Sequence, residues 1–190
     1  MRVISGEARG RPLKAVPGQT TRPTTDKVKE AMFSIIGPYF DGERVLDLFA
    51  GTGGLGIEAL SRGAGHAVFI DVNPRSVEVV RRNLEATGLA ARAEAYRNDA
   101  RRAIRQLERK GAKFDLVFLD PPYADKDCDE LLGELAGRGL LADRAVAVVE
   151  HDAGFDYGDR FGPFGRSRHA VYGETALSIY RYEGEEHHDR

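Results

Sequence analysis

The chain has 190 residues, of which 42% are hydrophobic and 31% charged, so we expect neither a disordered protein nor two full domains, but one domain that buries roughly 70% of its unfolded surface. A net charge of −2 gives no sign of a uniformly basic nucleic-acid binder, and a single cysteine, Cys128, excludes an internal disulfide and a cysteine-based zinc site. The sequence has no apolar run near 18 residues and carries charges where a secretory signal would be hydrophobic, so we expect a cytoplasmic protein.

The first 40 residues form a basic extension. Within residues 1–30, seven Lys and Arg side chains stand against three Asp and Glu side chains, which leaves the rest of the chain acidic. Such a segment fits an arm that contacts the phosphates of a nucleic acid, and it fits a solvated terminus equally well. Residues 1–16 suggest a β-ribbon interrupted by glycines.

A helix is predicted over residues 22–37, with start signals in the run TTD at residues 24–26. Lys27 and Lys29 are expected to stay exposed on it. Four apolar side chains fall on one helical face, which predicts packing against a sheet: Val28, Met32, Ile35 and Ile36.

From residue 44 onward, short apolar runs alternate with helical patterns. The predicted strands are residues 44–49, 66–71, 91–99, 114–120, 144–152, 167–173 and 175–183. The predicted helices are residues 54–63, 73–88, 100–111 and 125–139. The alternation is typical of βαβ units, so we predict an α/β fold with a Rossmann-like, doubly wound, mostly parallel sheet. The short turn between the last two strands predicts one antiparallel strand at or near a sheet edge.

The run VLDLFAGTGGLGIEAL, residues 45–60, places Gly51, Gly53 and Gly56 in GxGxxG spacing between a predicted strand and a predicted helix. Glycines there permit a tight turn and let a nucleotide approach the backbone, although a turn formed only for packing would give the same pattern. Asp71 ends the next strand, 20 residues after Gly51, where a carboxylate can accept hydrogen bonds from both hydroxyls of a ribose. We therefore predict a nucleotide-like ligand.

Asp47 distinguishes among nucleotide-like ligands. A carboxylate four residues before the first glycine does not help to bind a pyrophosphate, but it can bind the ammonium of a sulfonium cofactor with an amino-acid tail. After the third strand, Asp99 is predicted to accept a hydrogen bond from an adenine amino group, and Ala100 to offer its backbone amide. The alternative for Asp99 is a plain N-cap on the following helix.

The run FDLVFLDPPYAD, residues 114–125, ends a predicted buried strand with Asp120, Pro121, Pro122 and Tyr123. The carboxylate of Asp120 can accept one N–H of an exocyclic amine and the carbonyl of Pro121 the other, because the prolines place no N–H donor nearby. Tyr123 can stack on a flat base, which contributes about 1 to 3 kcal/mol. These residues predict methylation of an amine on a base ring without a metal; the alternative is a strand that simply ends at the prolines.

Together these motifs resemble the class I S-adenosylmethionine-dependent methyltransferases that act on amino groups. The segments RVISGEARGRPLKAVPG, RPTTDKVKEAMFSII, VLDLFAGTGGLGIEALSRGA and FLDPPY, in this order, resemble the RsmD family. RPTTDKVKEAMF is the most specific of them, because methyltransferases in general lack it. The resemblance implies a seven-stranded sheet, S-adenosylmethionine as cofactor, and methylation of the N2 amine of a guanine at position 966 of bacterial 16S ribosomal RNA.

The expected organisation follows from this resemblance. Residues 1–40 would be a basic extension that contacts RNA and packs on the core, residues 41–182 the methyltransferase domain, and residues 183–190 a disordered tail. The expected partner is 16S ribosomal RNA in the small subunit or in its assembly intermediate. We expect a monomer that binds neither metal nor membrane.

An RNA base has to leave its stack to reach such a site. Arg9, Arg11 and Arg22 are therefore expected to contact the RNA backbone while Tyr123 receives the flipped guanine. His151, at the end of the fifth strand, is expected to lie at the surface or behind the site, since the mechanism needs no imidazole.

Three other functions remain open. One is a methyltransferase with the same motif that acts on DNA adenine or protein glutamine, although glutamine enzymes usually have Asn in place of Asp120 and the chain has no separate DNA-recognition domain. Another is an NAD(P)-dependent oxidoreductase, which Asp47 and the DPPY run disfavour. The third is a non-catalytic RNA-binding or assembly factor that shares the fold.

Overall fold

The sequence folds into two units. In the computed structural model, which describes residues 1–18 and 24–184, one unit comprises Met1–Ala100 and the other Arg101–Arg190. Both units follow the predicted alternation of strands and helices. Among the residues described, no helix is long and apolar enough to cross a membrane.

The first unit contains a layer of parallel strands and the helices that connect them. Its elements are α1 (Asp26–Ile36), β1 (Arg44–Asp47), α2 (Gly54–Ser61), β2 (His66–Asp71), α3 (Pro74–Ala86) and β3 (Ala93–Arg97). β1 pairs in parallel with β2, where Asp47 lies opposite Phe69, and β2 pairs in parallel with β3, where Asp71 lies opposite Arg97. Because the strands are parallel, their carboxyl ends lie at the same end of the sheet.

The start of α3 shows how local sequence sets an element. Asn73 is the N-cap, and its side chain accepts a hydrogen bond from the backbone amide of Arg75 at 2.9 Å. Pro74 occupies the first helical position, where a missing N–H costs nothing. Past the end of the helix, Gly88 adopts a φ of 75°. The inward face of the helix is apolar: Val77, Val80 and Leu84 are buried.

The N-terminal extension forms a shorter antiparallel ribbon than predicted. Residues 1–3 pair with residues 10–13 through the bridge between Arg2 and Pro12, and the amide of Val3 donates to the carbonyl of Arg11 at 2.9 Å. Gly6 adopts a φ of 92°, and a Cβ at this position would stand 1.9 Å from the carbonyl oxygen of Ser61. Gly6 therefore lets the extension pack closely against the end of α2. Four apolar side chains of the extension are buried: Val3, Ala8, Leu13 and Val16.

The prediction that Lys29 is exposed is wrong, since its exposure is 1%. Its ammonium donates to the carbonyl of Arg2 at 2.7 Å and lies 3.4 Å from Oε1 of Glu58. Glu58 on α2 also accepts hydrogen bonds from the backbone amides of residues 4–5 and from Nε of Arg62. A lysine can be buried here because a buried carboxylate, distant in sequence, is its partner.

The second unit combines a parallel strand pair with an antiparallel group. Its elements are α4 (Ala100–Arg109), which begins at the last residue of the first unit, β4 (Phe114–Leu119), α5 (Cys128–Gly137), β5 (Leu141–Asp152), β6 (Arg160–Phe161), β7 (Phe164–Tyr172) and β8 (Thr175–Tyr182). β4 and β5 pair in parallel. β5 with β8, β8 with β7, and β7 with β6 pair antiparallel.

The predicted fold class is confirmed: the chain is an α/β protein with mostly parallel strands and an antiparallel group. The described residues form eight strands, one more than predicted. The additional strand is β6, whose two residues are too few to show an alternating pattern. β8 is the predicted antiparallel strand, and it lies between β5 and β7.

The boundaries proposed for the extension, the methyltransferase domain and the tail stay predictions. At the start of the predicted tail, Arg160 binds both carboxylate oxygens of Glu183, at 2.8 and 2.9 Å. Residues 185–190 lie outside the described residues.

Candidate functional site

The glycine loop connects β1 to α2. Gly51 and Gly53 have φ values of 57° and 83°, in the left-handed region that glycine adopts without steric cost. Gly56 lies on α2, and a Cβ there would be 2.3 Å from the ring of Phe69 on β2. Gly51 and Gly53 therefore shape the turn, and Gly56 lets the helix approach the strand.

Asp71 is fixed at the end of β2 by two backbone amides. Its Oδ2 accepts from Gly51 and its Oδ1 from Asn73, both at 2.9 Å. Each carboxylate oxygen can accept more than one hydrogen bond, so Asp71 keeps acceptor capacity for a ligand. The structure thus brings Asp71 to the glycine loop, as the sequence spacing predicts.

Asp47 is buried at the end of β1, with an exposure of 1%. Its Oδ2 accepts from the amide of Gly56 at 3.4 Å, whereas its Oδ1 has no hydrogen-bond partner among the described residues. Burial raises the pKa of this carboxyl from 3.8 to about 7, and the charge of Asp71 contributes to the rise. A buried acceptor without a partner is unfavourable and rare. The position therefore fits a cationic donor such as an ammonium group.

Asp99 and Ala100 follow β3. The amide of the preceding residue, Asn98, donates to the carbonyl of Asp71 at 3.0 Å, which holds this turn beside the end of β2. Asp99 is exposed, and Ala100 is the first residue of α4. The structure brings both residues close to Asp71, while their contact with an adenine stays a prediction.

Asn83 on α3 is a residue that sequence analysis missed. Its Nδ2 donates to the carbonyls of Thr52 and Lys14 at 2.9 and 3.1 Å, and its Oδ1 accepts from the amide of Lys14 at 2.8 Å. The side chain therefore joins the glycine loop to the N-terminal extension. In the sequence it is one polar residue in an amphipathic helix, so nothing distinguishes it from a surface asparagine.

In the second unit, Asp120 directly follows β4. Asp120 is half-buried, Pro121 is buried, and Tyr123 has an exposure of 42%. The carbonyl of Pro122 accepts from the amide of Asp125 at 2.9 Å, which closes a turn after the motif. Neither proline has an N–H, so hydrogen-bond acceptors predominate at the end of this strand.

The phenol of Tyr123 lies 2.6 Å from Oγ1 of Thr175 on β8, a partner that the sequence does not indicate. Burial raises the pKa of the phenol; the bond to Thr175 opposes this rise, and the charges of Glu150, Asp120 and Asp152 add to it. Tyr123 is therefore neutral near pH 7, with part of its ring exposed for stacking.

A small pocket, open to solvent, lies beside Tyr123, within the second unit. It is lined by residues of the segments 121–126 and 150–157. His151 lines it and is not at the surface: its exposure is 5%, and its Nε2 lies 2.8 Å from Oγ of Ser178. The DPPY run predicted three of the lining residues, whereas Phe155 and Tyr157 escaped sequence analysis because they belong to a loop outside any motif.

Arg9 and Arg11 are exposed in the N-terminal extension. Arg11 donates to the carbonyl of Ala86, at the end of α3, at 3.2 Å. Arg22 lies outside the described residues. Two of the three arginines predicted to contact RNA are therefore found at the surface.

The strand arrangement, the glycine loop with its acids and the DPPY turn define the fold of a class I methyltransferase. The family described as conserved hypothetical protein 95 matches residues 1–181. The chain belongs to this family, the RsmD family.

Individual relatives match nearly the whole chain. YlbH of Bacillus subtilis (strain 168), provisionally named an rRNA methyltransferase, is 47% identical over 184 residues, which cover 97% of this chain and 100% of that protein. Ribosomal RNA small subunit methyltransferase D of Escherichia coli (strain K12) is 34% identical over 185 residues, which cover 97% of this chain and 91% of that protein. The solved structure of yhhF from Escherichia coli, provisionally named a methyltransferase, has a TM-score of 0.82 and 35% identity, and the match covers 97% of this chain and 99% of that one.

Proposed function

We propose that this chain transfers a methyl group from S-adenosylmethionine to the exocyclic N2 of a guanine in 16S ribosomal RNA. The observation that carries the proposal is the turn at residues 120–123, which ends β4 with a carboxylate, two prolines and a partly exposed aromatic ring. The names of the two curated relatives, both of which refer to ribosomal RNA, support this substrate.

Residues of the first unit fit the cofactor. The unpartnered Oδ1 of Asp47 fits the ammonium group at the amino-acid end of S-adenosylmethionine. Ionised Asp47 would then gain the partner that it lacks among the described residues. The backbone of the loop that contacts the cofactor is assigned to Gly51, Gly53 and Gly56. The ribose is assigned to Asp71, and the adenine to Asp99 and Ala100.

The cofactor supplies an electrophilic methyl group when bound. The lone pair of guanine N2 is delocalised into the ring, so the protein has to hold the amine with this lone pair directed at the methyl carbon. In our proposal Asp120 accepts one N–H and the carbonyl of Pro121 accepts the other. The nitrogen–carbon bond forms as the carbon–sulfur bond breaks, and the N2 proton is released to Asp120 or to water. Alignment of the reactants supplies roughly 7 to 11 kcal/mol of the acceleration.

The remaining roles concern the RNA. Tyr123 stacks on the flipped guanine, which its exposed ring and neutral phenol support. Arg9, Arg11 and Arg22 contact the phosphate backbone next to the target, and the exposure of the first two supports this role.

Methyl transfer to small ribosomal subunits that lack the modification tests the proposal. Wild type, Asp120→Ala and the control Asp143→Ala, which changes an exposed acid of the same unit outside the pocket, are incubated with methyl-labelled S-adenosylmethionine. The labelled nucleoside is then identified by mass. We expect N2-methylguanosine with wild type and control, and a rate lower by about 100-fold with Asp120→Ala, because the amine is no longer held in line.

Other outcomes would support the alternatives. Label in ribosomal protein, or in DNA offered as substrate in a parallel reaction, would contradict RNA as the substrate but leave S-adenosylmethionine as the cofactor. Binding of S-adenosylhomocysteine without any transfer would favour a non-catalytic assembly factor. Thermal stabilisation by NADH and not by S-adenosylhomocysteine would favour an oxidoreductase, since a ligand stabilises only the folded state that binds it.

A further inference from the structure

The pocket beside Tyr123 has an aromatic wall contributed by the loop after β5. Phe155 and Tyr157 line the pocket, with ring centroids 4.7 Å apart and ring planes at 84°. Both rings also pack edge-on against the buried ring of His151, at centroid distances of 6.5 and 5.5 Å. The wall is therefore a largely apolar surface supported from behind.

The loop that carries these rings is held in place. The hydroxyl of Tyr157 accepts a hydrogen bond from the amide of Cys128, at the start of α5, at 3.4 Å. The hydroxyl of Tyr180 on β8 donates to the carbonyl of Gly158 at 2.7 Å. A surface fixed in this way loses little conformational freedom when a ligand binds, as is typical of preformed sites.

Charged groups surround the aromatic wall. The ammonium of Lys126 lies 5.4 Å from the centroid of Phe155, and the carboxylates of Glu150 and Asp152 lie on strand β5 in the lining of the same pocket. A guanine has acceptors at O6 and N7 and a donor amine at N2. An ammonium matches its acceptors and the carboxylates match its donors.

We propose that Phe155 and Tyr157 form a base-contacting wall that, with Tyr123, receives the flipped guanine of the RNA. This inference rests on the proposed function and adds two residues to it. The pocket is small and open to solvent, so a base would lie against this wall rather than inside an enclosed cavity. Proteins hold unstacked RNA bases by stacking them on aromatic side chains.

Two pairs of substitutions distinguish the effect of a flat aromatic ring from the effect of apolar side-chain volume. Phe155→Leu removes the ring and Phe155→Trp restores one; Tyr157→Leu and Tyr157→Phe form a second pair. The control is Phe161→Leu, the same change in the same unit, because this ring packs on Phe164 and Tyr180 and is not part of the pocket lining. For each variant, kcat/KM for methyl transfer to unmodified small subunits and the Kd of S-adenosylhomocysteine are measured.

Because the two ring planes stand at 84°, one base lies flat on one ring and meets the edge of the other. We expect the leucine substitution of the stacking ring to lower kcat/KM by about 10- to 100-fold and the other leucine substitution to lower it less, with the Kd of S-adenosylhomocysteine unchanged. Phe155→Trp and Tyr157→Phe are expected to retain most of the activity, because each keeps a flat ring. Phe161→Leu is expected to match wild type.

Two results would overturn the assignment and leave the proposed function intact. One is a kcat/KM of both leucine variants equal to that of wild type. The other is an equal loss in Phe155→Leu and Phe161→Leu, which would attribute the effect to folding. If wild type itself transfers no methyl group to small subunits, the proposed function fails first, and this inference fails with it.

Discussion

The side-chain amide of Asn83 donates a hydrogen bond to the backbone carbonyl of Thr52, with an Nδ2–O distance of 2.9 Å. Thr52 lies in the glycine loop between Gly51 and Gly53, and Asn83 is 1% exposed on α3. The same amide group donates to the carbonyl of Lys14. One buried side chain thus connects the N-terminal extension to the loop proposed to bind the cofactor.

Replacing Asn83 by Ala is expected to reduce stability and cofactor affinity together. The carbonyl of Thr52 and the backbone groups of Lys14 lose their partners, and each unsatisfied group costs about 1 to 3 kcal/mol. We expect the free energy of unfolding in urea to fall by about 2 to 4 kcal/mol and S-adenosylhomocysteine to bind more weakly. Arg82→Ala, on the exposed side of the same helix, is the control and should change neither quantity by more than about 1 kcal/mol. Unchanged affinity in Asn83→Ala would contradict this role.

The raised pKa of Asp47 predicts opposite effects of pH on stability and on ligand binding. Between its ordinary value of 3.8 and its folded value of about 7, the folded state keeps a proton that the unfolded state has lost. The free energy of unfolding therefore falls as pH rises through this interval, by up to about 4 kcal/mol from this group. Binding of an ammonium requires the ionised carboxylate, so the affinity for S-adenosylhomocysteine is expected to rise with pH and to level off above about pH 7.

Asp47→Asn removes this titration and provides the control. We expect the variant to be more stable than the ligand-free wild type at about pH 8, with the difference shrinking at acidic pH. Its affinity for S-adenosylhomocysteine is expected to be weak at every pH. Urea unfolding and calorimetric titration between about pH 5 and about pH 9 measure both quantities. A wild-type affinity that does not change across pH 7 would argue against an ammonium at Asp47.

Local sequence patterns predicted the parts of the fold that depend on local interactions. β2 has the predicted bounds, residues 66–71, because it is a continuous apolar run, and α3 begins at its predicted cap. Lys29 was misassigned because its burial depends on Glu58, on another helix. β6 was missed because two residues show no period.

The residues of the candidate site also fall into two groups, those that local sequence patterns predicted and those whose positions depend on distant contacts. Asp47 and Asp71 were singled out by their spacing from Gly51, and the structure holds both acids through backbone amides of the glycine motif. Thr175 was not predicted, since it reaches Tyr123 only because β8 pairs antiparallel with β5. Phe155 belongs to a loop without a motif, and its position depends on contacts that the sequence does not reveal.

Glu58 is the acid whose removal is expected to destabilise the protein most. Its carboxylate lies between the cations of Lys29 and Arg62 and accepts hydrogen bonds from the amides of residues 4–5. Glu58→Ala leaves two buried cations without their carboxylate, so the free energy of unfolding should fall by about 3 to 5 kcal/mol. Burial lowers the pKa of Lys29, so Lys29→Met, which removes a poorly solvated charge and leaves Glu58 paired, should cost much less.

Urea unfolding measures whether Glu58→Ala loses more stability than Lys29→Met, with Glu78→Ala as the control. Glu78 is exposed and pairs with Arg82 on α3, so its loss should cost about 1 kcal/mol or less. Faster amide exchange at residues 4–5 in Glu58→Ala would show that the extension has loosened. Equal stability of Glu58→Ala and Glu78→Ala would show that the buried cluster does not hold the extension.

Neutralising Arg9, Arg11 and Arg22 together is expected to weaken RNA binding and leave cofactor binding unchanged. Each lost phosphate contact lowers the slope of log affinity against log salt by roughly 0.7 to 0.9, because fewer counterions are released on binding. RNA affinity at several salt concentrations and the Kd of S-adenosylhomocysteine are measured for the triple alanine variant. The control variant replaces three exposed arginines of α4: Arg102, Arg105 and Arg109. The same affinity and salt slope as wild type, or an equal loss in the control, would mean that the extension is not the arm that contacts RNA.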